Sequence, residues 1–342
     1  MSETQQPITI LGAGILGLWQ ALRLARAGFE VRLLEASKEP FAASASRYAG
    51  AMLAPDCEGE AAPEIVRRYG HEGLRLWRQE YPSLVNAGTL VVAAARDRSE
   101  LSRFARLTSG HRMLDADGLA ALESELGGRF PSGLFFENEA HMETLAAMRF
   151  LLDAARAAGA DIQLARFGDG DGAADEDGGR IVVDCRGLAA RDRLDDLRAV
   201  RGERIVVRAR DVDLARPVRL LHPRHPLYVV PWPDHVFMIG ATVIESEDDG
   251  PATVRSALEL MGVAYALHPG FGEAEILEFG AGLRPAYPDN VPRVRIERGG
   301  RVIRVNGAYR HGFLLAPVLA DVVLGAMSNV AYAHPLLERA DA

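Results

Sequence analysis

The sequence predicts an α/β fold opening with a parallel βαβ unit, and three features of residues 8–35 predict it. Ile8-Thr9-Ile10-Leu11 is a short, mainly apolar run, as expected of a strand covered by helices on both faces. Ile15, Leu18, Trp19, Leu22 and Ala25 then recur at helical spacing, and Gly28 stands where a helix C-terminus belongs. Between them lies Gly12-Ala13-Gly14-Ile15-Leu16-Gly17, and beyond them Val31-Arg32-Leu33-Leu34-Glu35 resumes a strand that ends in an acid.

Each of these residue types has a physical task. Gly12 permits a tight turn, Gly14 lets a pyrophosphate approach bare backbone, and Gly17 lets helix and strand pack closely. The free N–H groups at the helix N-terminus favour phosphate anions. Glu35 lies at the distance at which a carboxylate accepts hydrogen bonds from ribose hydroxyls. Together they indicate dinucleotide binding; a glycine turn in an ordinary α/β domain is the alternative. The motif alone does not separate FAD from NAD.

Composition narrows the classes further. The 342 residues carry a net charge of −8, with a pI near 5.7, which argues against nucleic acid held on a basic surface. Cys57 and Cys185 form neither a CxxC pair nor a metal-ligand spacing, so a reducing cytoplasm is the simpler setting, with one disulfide as the alternative. Met1–Pro7 has no Lys or Arg, against a secretory leader. No apolar run is long enough to span a membrane. Gly168–Asp177 departs from the EF-hand pattern and reads as a solvated hairpin, so no metal is expected.

After Glu35 the chain becomes a run of small residues, Ala42 to Pro55, interrupted by Arg47 and Tyr48. Such a backbone is thin enough for a large flat cofactor to lie against it, and Ser44 and Ser46 offer hydroxyls to phosphate or ribose oxygens. Further on, helices are expected over Pro63–Tyr81, Arg98–Gly110, Asp115–Leu126 with Asp115 as N-cap, Leu145–Ala158 and Thr253–Leu267. Strands are expected over Gly88–Ala93, Leu134–Phe136, Asp161–Leu164, Arg180–Leu188, from Ile205 to Val207, and over Leu227–Pro231 and Val236–Thr242 around a Pro233-Asp234-His235 turn. A final strand is expected over Val302–Ala308, followed by an apolar helix from Phe313 to Met327. His141 reads as a surface or capping residue and Cys185 as a packing residue.

The glycine turn, Glu35 and the Ser44-Ala45-Ser46-Arg47-Tyr48-Ala49-Gly50-Ala51-Met52-Leu53-Ala54-Pro55 segment resemble the D-amino-acid oxidase family of FAD enzymes, most closely its glycine oxidases of thiamine biosynthesis. Cys185 to Gly187, Val200-Arg201-Gly202-Glu203, the stretch from Leu227 to Gly250, Gly282-Leu283-Arg284-Pro285 and Tyr309-Arg310-His311-Gly312 follow in the family's order. The resemblance covers nearly the whole chain. It implies a two-lobe α/β flavoprotein, with a Rossmann-like FAD-binding domain from residues 1–80, 140–204 and 276–342. A mixed-sheet α+β substrate domain would come from residues 81–139 and 205–275.

The same resemblance implies the site. FAD would be held by Gly12, Ala13, Gly14, Ile15 and Gly17, then by Glu35 and Ala36. Ser44, Ala45, Ser46, Arg47, Gly50, Ala51 and Met52 would follow it, with Cys185 and Gly187 at the middle strand. Arg310, His311, Gly312, Phe313 and Leu314 would close the site. Arg284 would bind the substrate carboxylate through its planar fork, with Tyr228, Arg310 and Met52 beside the substrate. Many members have a histidine two residues before the tyrosine; this chain has Pro226, so no role for that histidine carries over.

The reaction implied is oxidative deamination of glycine or a similar small amine, with O2 reduced to H2O2 and a functional link to thiazole synthase. A homo-oligomer is compatible with it. Alternatives are a sarcosine or D-amino-acid oxidase or dehydrogenase, an NAD(P)-dependent dehydrogenase, and a non-catalytic flavin-binding protein.

Overall fold

The computed structural model describes residues 6–164, 180–223 and 226–340; the acidic turn expected at Gly168–Asp177 lies outside them. The opening unit is β1 (Ile8–Leu11), α1 (Ile15–Arg26) and β2 (Val31–Glu35), with β2 parallel to β1. Gly28, just past the helix end, has φ +90°, the left-handed conformation a glycine tolerates without a Cβ clash.

The chain continues through β3 (Met52–Leu53), α2 (Glu64–Glu80), β4 (Thr89–Ala93), α3 (Arg98–Leu107), β5 (Arg112–Asp115), α4 (Ala116–Leu122) and β6 (Ser132–Phe136). Next come β7 (Ala140–His141), α5 (Thr144–Ala157), β8 (Asp161–Leu164), β9 (Ile181–Asp184), β10 (Arg198–Arg208), β11 (Val218–Leu221), β12 (Leu227–Trp232) and β13 (Val236–Gly240). The last elements are α6 (Val254–Leu267), β14 (Glu275–Ala286), β15 (Arg293–Glu297), β16 (Val302–Asn306), α7 (Gly312–Ser328) and β17 (Leu337–Arg339).

Two large sheets divide these strands. The seven-stranded sheet runs β17-β15-β16-β9-β1-β2-β8, with β1 parallel to both neighbours. The eight-stranded sheet runs β14-β10-β13-β12-β11-β4-β6-β5 and is mixed, because β4 and β11 are parallel while the other pairs are antiparallel. This is the two-lobe α/β architecture with a Rossmann-like first lobe. Residues Leu145–Ala158 and Asp161–Leu164 do return the chain to the first sheet, where β8 joins β2. Strands β10 and β14 each run across the lobe boundaries expected near 204 and 275, and both lie in the second sheet.

Helix α7 is the centre of the first lobe's core, buried among α1 and α2. Pro317 has no N–H and cannot donate to the carbonyl of Phe313 one turn back. The indole Nε1 of Trp77 takes that place, donating to Phe313 O at 2.6 Å. Trp77 also meets Trp19 edge-on at 5.0 Å, tying α1, α2 and α7 together.

Several sequence expectations shift. The strand expected from Ile205 starts at Arg198, because Val200-Arg201-Gly202-Glu203 pairs with β14 instead of forming a crossover. Val302–Asn306 is not the final strand, since β17 follows α7 and pairs with β15. The helix expected over Asp115–Leu126 ends at Leu122, although the Asp115 carboxylate does cap it by accepting from Gly118 N. His141 is neither exposed nor a cap. It is buried, paired with Met52 across β3 and β7, and Glu143 caps α5 in its stead.

Candidate active site

The nucleotide end of the site is built where β1, β2 and β9 finish side by side. Gly12 has φ +93°, and a Cβ there would meet Cys185 O at 2.9 Å. A Cβ on Gly17 would collide with the main-chain carbonyl of Gly12, so helix and turn close on each other only because residue 17 is glycine. The Glu35 carboxylate reaches back to this turn, accepting from Ala13 N at 2.6 Å and Ser37 N at 3.1 Å. Ser46 Oγ accepts from Ile15 N at 3.1 Å, and Ser44 Oγ accepts from Ser46 N at 3.2 Å. Gly14 faces both hydroxyls: a Cβ there would lie 3.1 Å from Ser44 Oγ and 3.5 Å from Ser46 Oγ.

This end fits a dinucleotide. The N-terminus of α1 has no acidic residue in its first turn and Gly14 gives it no side-chain cap; Ser46 Oγ takes the Ile15 N–H, and no charge offsets the dipole there, which favours an anion. Its free space is defined by glycine and two hydroxyls rather than by larger side chains. Ala36 is exposed at the rim and Ala45 half-buried beside Ser44. Cys185 is a buried packing residue whose thiol is pushed well up by burial first and Asp184 second, so it is no nucleophile. Gly187 has φ +61°, and its carbonyl accepts from Asn306 Nδ2 at 2.9 Å.

The reactive end lies under one face of the second sheet. Along β10 this face presents Gly202, Arg204 and Val206, because side chains alternate along a strand. Val206, Val230, Met238, Met52, Tyr228 and Trp232 form one apolar cluster there. Gly50 comes up against it: a Cβ on Gly50 would collide with Met238 Cε and reach Tyr228 Cε2 at 3.0 Å. Ala51 has φ +49° and its carbonyl accepts from Met142 N at 3.2 Å, which sets the turn that carries Met52.

Arg284 pairs with Val200 across β10 and β14, and its guanidinium lies over Gly202, where any Cβ would overlap it. Its Nη1 donates to Thr242 O at 3.1 Å and Arg201 O at 3.4 Å, main-chain carbonyls that orient the fork without neutralising it. Burial, then the nearby Tyr228 and Arg310, act on Arg284, with burial and Arg310 depressing its pKa. Thus Arg284, Tyr228 and Arg310 lie within electrostatic reach of one another.

The residue that sequence reasoning missed is Glu58. It lies in the 3-10 turn Cys57–Glu60, and Arg310 Nη2 donates to its Oε1 at 3.4 Å. Arg219 Nη1 stands 3.7 Å from the same oxygen. Burial alone would raise the Glu58 pKa, but Arg310, Arg219, His311 and Arg284 together outweigh it and hold it at about 2. The only signal in the sequence was an acidic Cys57-Glu58-Gly59-Glu60 immediately after a run of small residues.

Helix α7 starts at this end. His311 is its N-cap residue, buried, and burial lowers its pKa to about 4, leaving the imidazole neutral. No side chain caps the helix and its first turn has no acid, so the N–H groups of Gly312, Phe313 and Leu314 can face an anionic ring edge. The side chains of Phe313 and Leu314 turn into the core, so any cofactor contact from them is through main chain. Arg47 is held by Glu278 at 3.5 Å, and Arg204 donates to Glu278 Oε2 at 3.1 Å. The buried Nε atoms of Arg47 and Arg204 meet no acceptor. A glycine turn, two helix N-termini with no acid in their first turns and buried donors without an acceptor among the described residues suit a large, flat, phosphate-bearing group.

Comparison with known proteins agrees. The family described as DAO, FAD-dependent oxidoreductase, matches residues 7–324. The chain is 52% identical over 317 residues to a Rhizobium etli protein that carries the name thiamine biosynthesis oxidoreductase ThiO, covering 92% of this chain and 94% of that one. It is 26% identical over 351 residues to a glycine oxidase of Bacillus licheniformis, covering 92% of each. The crystal structure of glycine oxidase from Geobacillus kaustophilus superposes with a TM-score of 0.77 at 22% identity, covering 96% of each chain, which shows the shared fold.

Proposed function

Because this chain belongs to the DAO family of FAD-dependent oxidoreductases, we propose that it oxidises the amine of glycine or a similarly small amino acid and so serves thiamine biosynthesis. The observation that carries this reading is Arg284, a buried guanidinium that has main-chain carbonyls but no carboxylate for partners among the described residues. A fork so oriented matches one carboxylate in two parallel hydrogen bonds. The glycine oxidase and ThiO relatives support the same substrate class.

In this reading residues 1–80, 140–204 and 276–342 form the FAD-binding domain, and residues 81–139 and 205–275 the substrate domain. FAD would be held by the glycine turn, Glu35, Ser44 and Ser46 at one end and by the α7 N-terminus at the other. FAD bound there would supply the two-electron redox chemistry for amine oxidation, with O2 as the proposed final acceptor and H2O2 as its product.

The protein's contribution is placement and electrostatics. Arg284 fixes the acid group, and Tyr228 and Arg310 flank it. The main-chain N–H groups at the start of α7 stabilise negative charge that develops beside them. Met52, Met238 and Val230 exclude water above the reacting carbon. No side chain is needed as a base at Cα; the imine product hydrolyses to glyoxylate and ammonia, or is consumed in thiazole formation by thiazole synthase. A cytoplasmic enzyme is part of the proposal; among the described residues no helix is long and apolar enough to cross a membrane.

The test is product analysis with purified holoenzyme. Glycine should yield glyoxylate, ammonia and peroxide in equal amounts, with sarcosine and D-alanine as comparison substrates. If sarcosine is turned over much faster than glycine, the secondary-amine alternative replaces this reading; if no amine is consumed, the non-catalytic alternative does.

A further inference from the structure

Two guanidiniums face the substrate position, yet they are not equivalent. Arg284 pairs with no carboxylate among the described residues. Arg310 is paired with Glu58, at 3.4 Å. Glu58 is also paired with the buried Arg219, which stands 3.7 Å from the same Glu58 oxygen and whose other terminal nitrogen is 3.7 Å from Glu60. Of these two guanidiniums, then, only Arg284 is without a carboxylate partner among the described residues.

From this arrangement we infer that Glu58 is a specificity-determining residue that limits the site to substrates with a single carboxylate. The inference rests on the proposed reading that Arg284 binds the substrate acid. A second carboxylate reaching for Arg310 would have to share that guanidinium with Glu58, and two carboxylates on one cation repel at short range. Displacing Glu58 would also break its ion pair with the buried Arg219, which stands 3.7 Å from the same carboxylate oxygen. Nor can Glu58 yield by taking up a proton, since its cationic neighbours keep it ionised at every working pH. A further acid, Glu139, is buried beside Cys57, accepts from Cys57 N at 2.7 Å and has its pKa raised to about 8, chiefly by burial. At neutral pH it is mostly protonated, and Glu60 pairs with Arg219, so Glu58 is the carboxylate that meets Arg310.

The consequence is a filter by charge count rather than by size. Replacing Glu58 with Gln keeps its shape and removes its charge, which frees Arg310 for a second anion. Replacing it with Asp keeps the charge.

The experiment uses flavin-loaded wild-type protein, Glu58→Gln and Glu58→Asp. It measures Kd for acetate and for malonate from the perturbation of the flavin absorption spectrum, since neither anion is oxidised. Wild type should bind malonate no more tightly than acetate. The preference for malonate over acetate should rise at least tenfold in Glu58→Gln and stay near the wild-type value in Glu58→Asp. An acetate response with the same preference in Glu58→Gln as in wild type overturns the filter while leaving the Arg284 reading intact. So does a wild-type malonate affinity ten times that for acetate, a result that needs no variant to fold. A flavin spectrum indifferent to both anions in wild type overturns the Arg284 reading, and the filter with it.

Discussion

Arg284 occupies the space a side chain on Gly202 would need, so the glycine of β10 and the arginine of β14 form one device. The guanidinium rests on bare backbone and its fork is turned by the carbonyls of Arg201 and Thr242. Gly202→Ala should displace the fork without emptying the flavin site. Steady-state kinetics should show KM for glycine raised by roughly tenfold or more, in keeping with loss of about 1.5–3 kcal/mol of charged hydrogen bonding. An unchanged KM would mean that Gly202 does not set the position of Arg284.

At the nucleotide end, Glu35 braces the Gly12–Gly14 turn by accepting from Ala13 N, and in the proposed reading it also accepts from the ribose of FAD. Glu35→Ala should weaken FAD binding by roughly tenfold or more, the equivalent of at least one charge-assisted hydrogen bond. Glu35→Gln, which keeps one acceptor oxygen, should fall between. Titration of apoprotein with FAD, followed by flavin fluorescence, gives both values; equal affinities in all three proteins would remove Glu35 from the site.

How far the sequence foretold this site follows from the range of the interactions. The turn at Gly12–Gly17, its helix and Glu35 were legible because their geometry is set by neighbours within one βαβ unit. Arg284, Tyr228 and Arg310 were reached through family resemblance, since the sheet that assembles them joins strands far apart in the chain. Glu58 and Gly202 were missed for the same reason. A carboxylate near Met52 becomes functional only when Arg310 arrives from 252 residues away, and Gly202 matters only once β14 lies beside β10. The burial of His141 was hidden because a two-residue strand has no periodicity to read.

His141 carries a pH prediction of its own. Burial, only partly opposed by its hydrogen bond with the Pro231 backbone, lowers its pKa to about 4, against about 6.5 for the unfolded chain. The unfolded state therefore binds more protons between these values. The stability that goes with a neutral His141 is complete above pH 6.5, is lost as pH falls towards 4, and changes no further below it. The contribution at stake is about 3 kcal/mol. In denaturant titrations from pH 7 to pH 4, His141→Gln should lose stability by up to that much less than wild type. Parallel pH profiles for the two proteins would contradict a buried neutral imidazole at this position.

The account as a whole stands on Arg284 holding an acid group above a bound flavin. Rapid mixing of oxygen-free holoenzyme with glycine, followed at the flavin absorbance, measures this directly. Wild type should bleach with a rate that saturates in glycine. Arg284→Ala, with its flavin retained, should need roughly a hundredfold more glycine for half-saturation, from about 3 kcal/mol of lost charged hydrogen bonding. Bleaching of both proteins at the same half-saturating concentration, or of neither, would contradict the account.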